Sequence, residues 1–304
     1  MIKQLQWIGC APTLLQLTVS ASLKKRKLSH FPSITSLIGK CSTFCALRFK
    51  THWYDKKTCN YACEFCSHTT LNLAILPLEE AKRGLRLLAD AGTKKLNISR
   101  EPFLKPTFIG EVFRFCKEEL KLESCSVVNN GSKVTEKWLD TYGQYLDVMA
   151  ISCDSFDAET NVRIGRSDKA GKGDHVSRVF KVAQWCRERG IIVRINSVIN
   201  AYVPNSTCYR IINDVFVSSY NWEENVNENV QELSPARWKV FQVLLLDGEN
   251  TGAESNSLQD GRDLVITKEQ FQAFLYRHKG QKSLVPEENK AMKDSYLNLD
   301  EHMR

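Results

Sequence analysis

The first 54 residues contain no aspartate or glutamate, although they carry eight of the chain's 42 lysines and arginines. From Asp55 onward the other 34 basic residues are matched by 35 acidic ones, so this part of the chain is nearly neutral. A domain that binds nucleic acid usually carries a clustered excess of positive charge, unlike this nearly neutral part of the chain. The sequence therefore predicts a basic N-terminal arm, 1–48, a core domain, 49–304, and no nucleic-acid partner.

The arm also lacks an apolar run long enough to cross a membrane, since a spanning helix needs about 20 residues. Its longest apolar stretch, WIGCAPTLLQLTVSA, has 15 residues, is interrupted by Pro12 and precedes the basic sequence LKKRK. Three interpretations stay open: an anchor at a membrane surface, an organellar targeting peptide, and a leader without a membrane role. The first would place a cytoplasmic protein at the surface of the endoplasmic reticulum or of lipid droplets.

The eleven cysteines do not indicate a disulfide framework, because their number is odd and several lie in apolar segments such as FRFCKEE and AISCDSF. We therefore expect a reducing compartment. Cys116, Cys153 and Cys186 are predicted to be small buried side chains, since free cysteine is among the most buried residue types.

Short apolar segments alternate with amphipathic helical patterns through the core domain. The clearest helix, PLEEAKRGLRLLADAG, opens at Pro77, has Glu79 and Glu80 in its first turn and stops at Gly92. Further helices are predicted near 108–121, 134–145, 175–189, 223–232 and 267–279, and strands at KKLNIS, CSVVNN, DVMAIS, IIVRINSVI and RWKVFQVLLL. This alternation predicts an α/β fold with a parallel sheet, as a partial (β/α)6 barrel whose site lies at the carboxyl ends of the strands.

The segment TCNYACEFCSHTT places Cys59, Cys63 and Cys66 at the spacing C-x3-C-x2-C, shortly before the first predicted helix. A cubane [4Fe-4S] cluster with only three cysteines keeps one iron open, which can bind the amino and carboxylate groups of S-adenosylmethionine. The alternatives are a zinc site or three buried thiols. Zinc is disfavoured because His68 is the one histidine close to the triad and no second cysteine pair has a suitable spacing.

Longer blocks of the sequence resemble the viperin family of radical S-adenosylmethionine enzymes. They run from about Cys59 to Arg304 and comprise CNYACEFC, LPLEEAKRGLRLLADAG, YGQYLDVMAISCDSFD, IGR, INSVIN, RWKVFQVLLLDGEN and LVPEENKAMKDSYLNLDE. The resemblance implies a partial barrel with a [4Fe-4S] cluster, and conversion of CTP to 3′-deoxy-3′,4′-didehydro-CTP in antiviral defence. It also implies two kinds of protein partner, the iron-sulfur assembly machinery and a reductant protein.

The same resemblance assigns roles to individual residues. It implies that Cys59, Cys63 and Cys66 hold the cluster, and that Tyr296 gives a hydrogen atom to the substrate radical. The residues implied to bind S-adenosylmethionine are Phe65, Ser99, Glu101, Asn130, Ser152 and Arg166, and those implied to bind the nucleotide are Arg194, Asn196, Arg237 and Lys239.

Strand periodicity supports the nucleotide set independently. Arg194 and Asn196 are two residues apart on one predicted strand, as are Arg237 and Lys239 on the next, so each pair projects from one face. Cations that share a face in an apolar setting need an anion, which a polyphosphate would supply. The alternative is that they are outward-facing surface charges.

The chain departs from the family pattern in several places. The family's SGGEP reads SREP here, and Arg100 is expected to weaken cofactor binding because arginine cannot give the close backbone approach that glycine permits. Residues 201–221 form an atypical insertion, the family's asparagine upstream of the triad is not evident, and its C-terminal region is expected to be incomplete. Two alternatives to a working enzyme therefore stay open: an inactive relative that keeps the fold, and an iron-sulfur scaffold protein.

Overall fold

The computed structural model describes nine segments of the chain. For the first and last of them it describes only the backbone, which forms a strand in each. These segments are 44–48, 59–66, 77–99, 101–167, 174–201, 220–246, 250–251, 259–288 and 297–299. Nearly all of the predicted N-terminal arm lies outside them. No helix among these residues is both long enough and apolar enough to cross a membrane.

The described strands form one sheet in which every pairing is parallel. The strands are β1 Phe44–Arg48, β2 Lys95–Ser99, β3 Ser124–Asn129, β4 Val148–Ser152, β5 Ile192–Ile199, β6 Arg237–Gln242, β7 Leu284–Glu287 and β8 Leu297–Leu299. Strands β1 to β6 lie side by side in chain order, with β8 outside β1 and β7 outside β6. The predicted partial barrel is confirmed, with two edge strands that the sequence patterns did not indicate.

The helices connect successive strands. They are α1 Leu78–Asp90, α2 Pro106–Glu118, α3 Glu136–Tyr142, α4 Ala158–Arg163, α5 His175–Glu188, α6 Asn227–Leu233 and α7 Lys268–Arg277. Side chains that precede α3, α4, α5 and α7 accept hydrogen bonds from backbone N–H groups of the first turn. Such caps satisfy donors that have no partner within the helix.

The predicted elements match closely, with three differences. Helix α1 begins directly after Pro77, and Gly92 follows it with a positive φ of 98°, as its sequence predicted. Strand β1 falls inside the range assigned to the arm, so the sheet begins before residue 49. The helix expected near 223–232 starts at Asn227, after a single 3-10 turn, and the short α4 was not predicted.

The two faces of the sheet differ in chemistry, as β5 shows. Val193, Ile195 and Ile199 are buried in the main apolar core under the helices, whereas Arg194 and Asn196 on the opposite face are half-buried. Cys116, Cys153 and Cys186 are fully buried, as predicted, and the seven cysteines with described side chains are free thiols. The half-buried polar face is therefore the inner face of the partial barrel.

Candidate functional site

The cysteine segment, residues 59–66, lies between β1 and α1 and is fixed on one side by the turn after α4. The N–H groups of Ala62 and Glu64 donate to the carbonyls of Gly165 and Ile164 at 3.1 and 3.2 Å. Gly165 has a φ of 74°, and a Cβ at this position would lie 2.3 Å from the Ala62 carbonyl oxygen. A glycine is therefore required for this close approach, which explains the sequence IGR.

Two amide side chains fix the opposite side of the cysteine segment. The Nδ2 group of Asn250, which is completely buried, donates to the Phe65 carbonyl at 3.2 Å, and its Oδ1 atom accepts from the Leu246 N–H at 2.8 Å. The side chain of Gln259 donates to the Ala62 carbonyl at 3.4 Å. The loop that follows β6 thus holds the backbone between the cysteines.

Two of the three cysteines in the segment, Cys59 and Cys63, do not ionise readily by themselves. Cys63 is buried, and Cys59 and Cys66 are half-buried. Burial and the nearby Glu101 raise the pKa of Cys59 to about 11, and burial raises the pKa of Cys63 still further. Ionising these thiols therefore requires a strong positive charge close by, which bound iron would provide.

The segment offers three cysteine thiols as metal donors, at Cys59, Cys63 and Cys66. Thiolates are the ligands of iron-sulfur clusters, and in a cubane cluster each cysteine binds a different iron. Three thiols therefore fit a cluster that keeps one open iron, whereas a structural zinc site uses four protein ligands.

Asn130 and Glu101 lie beside the cysteine segment. The Nδ2 group of Asn130 donates to Asn60 Oδ1 at 3.0 Å and lies 3.7 Å from the sulfur of Cys59. Its backbone N–H donates to Glu101 Oε2 at 3.0 Å. Glu101 is only 1% exposed, and its Oε1 atom has no hydrogen-bond partner in the described part of the chain. Burial raises the pKa of Glu101 to about 7, although the Asn130 hydrogen bond opposes the shift.

An unpartnered, buried carboxylate oxygen is costly unless a donor reaches it. The amino group of S-adenosylmethionine is such a donor, and the open iron of a cluster would hold that amino group near the cysteines. The position of Glu101 therefore fits the role that the sequence predicted for it.

Arg166 is buried against the same segment. Its Nε and Nη2 atoms lie 2.6 and 2.5 Å from Asp154 Oδ2, and its guanidinium lies over the ring of Phe65 at 5.6 Å. The other oxygen of Asp154 accepts from the Val198 N–H at 2.9 Å, which ties the ion pair to β5. The contact with S-adenosylmethionine that the resemblance implies for Arg166 would have to use the part of the guanidinium outside this ion pair.

A buried histidine links the cysteine segment to the end of β4. The Nε2 atom of His175 donates to the Ser152 carbonyl at 3.0 Å, so its Nδ1 atom can accept from the Tyr61 hydroxyl at 3.4 Å. Burial and the charge of Arg166 lower the pKa of His175 to about 3. This histidine is therefore neutral at physiological pH and connects Ser152, one of the residues implied to bind S-adenosylmethionine, to the cysteine segment.

The predicted nucleotide residues follow the strand register. Ser152 on β4 pairs with Asn196 on β5, which pairs with Lys239 on β6. Arg194 and Arg237 pair two residues earlier on the same strands. Neighbouring strands are about 4.8 Å apart, so these side chains form two adjacent rows on the inner face. Arg237, the first residue of β6, is exposed, and the others are half-buried.

Lys239 already has an acidic neighbour. Its ammonium group forms an ion pair with Glu287 at the end of β7, and the two side chains are only 13% and 18% exposed. The strand pattern predicted that Lys239 has no counter-charge until a nucleotide binds. The structure shows that Glu287 supplies one.

Comparisons with known proteins decide the family. The model of the Radical SAM superfamily matches residues 56–207. The chain is 47% identical over 256 residues to the "S-adenosylmethionine-dependent nucleotide dehydratase RSAD2" of Oncorhynchus mykiss, covering 83% of this chain and 67% of that protein. It is 43% identical over 289 residues to the protein of the same name from Siniperca chuatsi, covering 94% of this chain and 72% of that protein. The chain belongs to the viperin family of radical S-adenosylmethionine enzymes.

Solved structures agree on the fold of this viperin-family chain. Streptococcus suis SuiB matches with a TM-score of 0.53 and 18% identity over 81% of this chain and 50% of that one. Native anSMEcpe with bound AdoMet matches with a TM-score of 0.52 and 16% identity over 78% and 60% of the two chains.

The relatives are longer than this chain. The "S-adenosylmethionine-dependent nucleotide dehydratase RSAD2" of Danio rerio is 48% identical, but the alignment covers only 65% of its length. The chain thus spans about two thirds of the length of such relatives.

Several predicted features lie outside the described residues. These are Arg100, Tyr296 and all but the ends of the insertion predicted at 201–221. Ser99, the last residue of β2, is half-buried on the inner face. The roles assigned to these residues stay predictions.

Four residues that support the site were not predicted from the sequence. Asp154, His175, Asn250 and Glu287 fix or neutralise the predicted site residues. Asp154, Asn250 and Glu287 occur in SCDSFD, DGEN and LVPEEN, blocks that carry the viperin resemblance. Their position as polar residues within those blocks is a signal from which they could have been predicted. Nothing in the local sequence marks His175.

Proposed function

We propose that this chain is a nucleotide dehydratase that converts CTP to 3′-deoxy-3′,4′-didehydro-CTP by removing water from the ribose. The main support is the arrangement of Asn196, Lys239, Arg194 and Arg237 in two adjacent rows on β5 and β6, one of which begins beside Ser152. The relatives that match most of the chain carry the name S-adenosylmethionine-dependent nucleotide dehydratase.

The cofactor end of the site would be built by the cysteine segment and its neighbours. When bound, the [4Fe-4S] cluster and S-adenosylmethionine together supply a 5′-deoxyadenosyl radical that abstracts hydrogen from the substrate. Cys59, Cys63 and Cys66 would hold the cluster, and Glu101 would receive the amino group of S-adenosylmethionine. The anchored backbone at Phe65 would keep the adenine in one orientation.

The nucleotide end would be built by the inner faces of β5 and β6. Hydrogen abstraction requires one ribose carbon to be held close to the cofactor, and a misplacement of about 1 Å can cost on the order of 100-fold in rate. Arg194, Arg237 and Lys239 would fix the triphosphate, while Asn196 contacts the nucleotide between them and Ser152. Tyr296 would give a hydrogen atom to the substrate radical.

The biological setting is part of the same proposal. A chain-terminating nucleotide product would act in antiviral defence, and the cluster would need the iron-sulfur assembly machinery and a reductant protein. We place the enzyme in the cytoplasm, with its arm at the surface of the endoplasmic reticulum or of lipid droplets. Fractionation of cells that express the chain with and without residues 1–48 tests this location.

The decisive experiment is anaerobic reconstitution with iron and sulfide, followed by mass spectrometry of the products. The proposal expects 5′-deoxyadenosine together with a CTP product that is lighter by one water, and less of both with UTP. An intact cluster without S-adenosylmethionine cleavage would favour the scaffold alternative. Cleavage without a nucleotide product would favour an inactive relative.

A further inference from the structure

The ion pair between Lys239 and Glu287 crosses the inner face diagonally. Lys239 lies opposite Val285 in the register of β6 and β7, whereas Glu287 lies two residues further on, opposite Phe241. The lysine side chain therefore extends toward the carboxyl end of the sheet and passes the Phe241 ring, with its Nζ atom 6.0 Å from the ring centroid. This is the direction in which the cysteine segment lies.

A half-buried ammonium group needs a counter-charge, because burying an unpaired charge costs several kcal/mol. Two candidates can supply it at this position: the carboxylate of Glu287, or the phosphate groups of a nucleotide. The two are like-charged, so they cannot occupy the same side of one ammonium group without repulsion. Arg194 and Arg237 pair with each other one row away on the same two strands.

We propose that Glu287 is a built-in counter-ion that a nucleoside triphosphate must displace from Lys239, and that it thereby sets how tightly the site binds polyphosphate. The inference rests on the proposed function, since it takes the inner face as the nucleotide site. In this proposal Glu287 acts on Lys239, which would bind the nucleotide, and not on the reacting atoms.

The chemistry gives a reason for such a competitor. The triphosphate is unchanged when water leaves the ribose, so contacts to it stabilise substrate, transition state and product alike. Uniform binding of this kind does not raise kcat, and it slows release of the product. A carboxylate that reclaims Lys239 would lower the affinity for substrate and product equally and would help the product to leave.

The test measures binding of inorganic tripolyphosphate and of CTP to the full chain by isothermal titration calorimetry. Glu287→Gln keeps the size of the side chain and removes its charge, so both ligands should bind about tenfold tighter, since charge-assisted contacts are roughly twice as strong as neutral ones. Glu288→Gln is the matched control, because it removes the same charge from an exposed neighbour. It should change either affinity less than about twofold. In a Lys239→Met background, Glu287→Gln should have no effect.

Unchanged or weaker binding by folded Glu287→Gln would overturn the inference, and so would an equal effect of Glu288→Gln. If Glu287→Gln does not fold, Glu287→Asp replaces it, because the shorter side chain withdraws the carboxylate and should tighten binding to a smaller extent. Tripolyphosphate binding requires neither cluster nor turnover. A chain that shows the Glu287 effect but forms no nucleotide product would refute the proposed function alone, and a chain that forms product without the effect would refute this inference alone.

Discussion

The end of the site proposed for the cofactor and the end proposed for the nucleotide are built in different ways. The cysteine segment is fixed by backbone hydrogen bonds from the Gly165 turn and by the buried amide of Asn250. The nucleotide face is built from charged side chains, of which Lys239 is neutralised by Glu287. A fixed frame suits a cofactor that must be held in a single geometry, whereas replaceable ion pairs suit a ligand that enters and leaves each cycle.

The largest effect is expected at the cofactor end, from Cys63→Ala. Loss of one of three ligands should abolish the broad iron-sulfur absorption near 400 nm, roughly where charge transfer from thiolate to iron lies. Cys116→Ala removes a thiol that is buried even more completely, in the main core, and should leave the cluster intact. Full absorbance in the Cys63 variant would reject the cluster assignment.

Gly165→Ala is expected to have the next largest effect, because it acts on the frame rather than on a ligand. Its Cβ would collide with the Ala62 carbonyl, so the cysteine segment would have to move, at a cost of more than about 3 kcal/mol. Gly190→Ala is the control: its φ is also positive, at 69°, but no atom lies within 4 Å of the added Cβ. That control should lose only about 1 kcal/mol. Iron content after reconstitution and thermal unfolding measure the two effects, and equal losses would show that the contact with Ala62 is unimportant.

Arg237→Ala should damage the nucleotide end alone. We expect CTP affinity to fall about 10- to 100-fold, since a charge-assisted hydrogen bond contributes roughly 1.5–3 kcal/mol. The cluster spectrum and S-adenosylmethionine cleavage without substrate should stay nearly unchanged, because this residue lies at the amino end of β6. Calorimetry with CTP, together with a 5′-deoxyadenosine assay, separates the two readouts. Parallel losses in both would show that the two ends are not independent.

The two ends also differ in how well the sequence predicted them. Local periodicity gave the order of β2 to β6 and the shared face of Arg194, Asn196, Arg237 and Lys239, because strand neighbours follow from chain order. The contacts from Asn250 to Phe65 and from Asp154 to Arg166 join residues far apart in the chain, and no local pattern encodes such pairs. Glu287 was missed because β7 is only four residues long and has no clear alternation.

The effect expected at Glu101 depends on pH. Because burial raises its pKa from 4.5 to about 7, the folded protein favours the protonated carboxyl more strongly than the unfolded chain does. The stability that this group contributes is therefore complete below pH 4.5 and is lost as the pH rises through 7. Glu101→Gln should remove this loss, so the variant without cofactor should gain stability relative to the parent chain over this range, by up to about 3 kcal/mol at pH 8.

The same substitution should have the opposite effect on the cofactor. An amide attracts the amino group of S-adenosylmethionine less strongly than a carboxylate does, so reconstituted Glu101→Gln should bind S-adenosylmethionine more weakly. Chemical denaturation from pH 5 to pH 8 measures the stability of the free protein, and titration with S-adenosylmethionine measures the affinity. A core carboxyl without a ligand would change only the first quantity. Opposite signs in the two measurements indicate a group whose buried charge destabilises the free protein and binds its ligand.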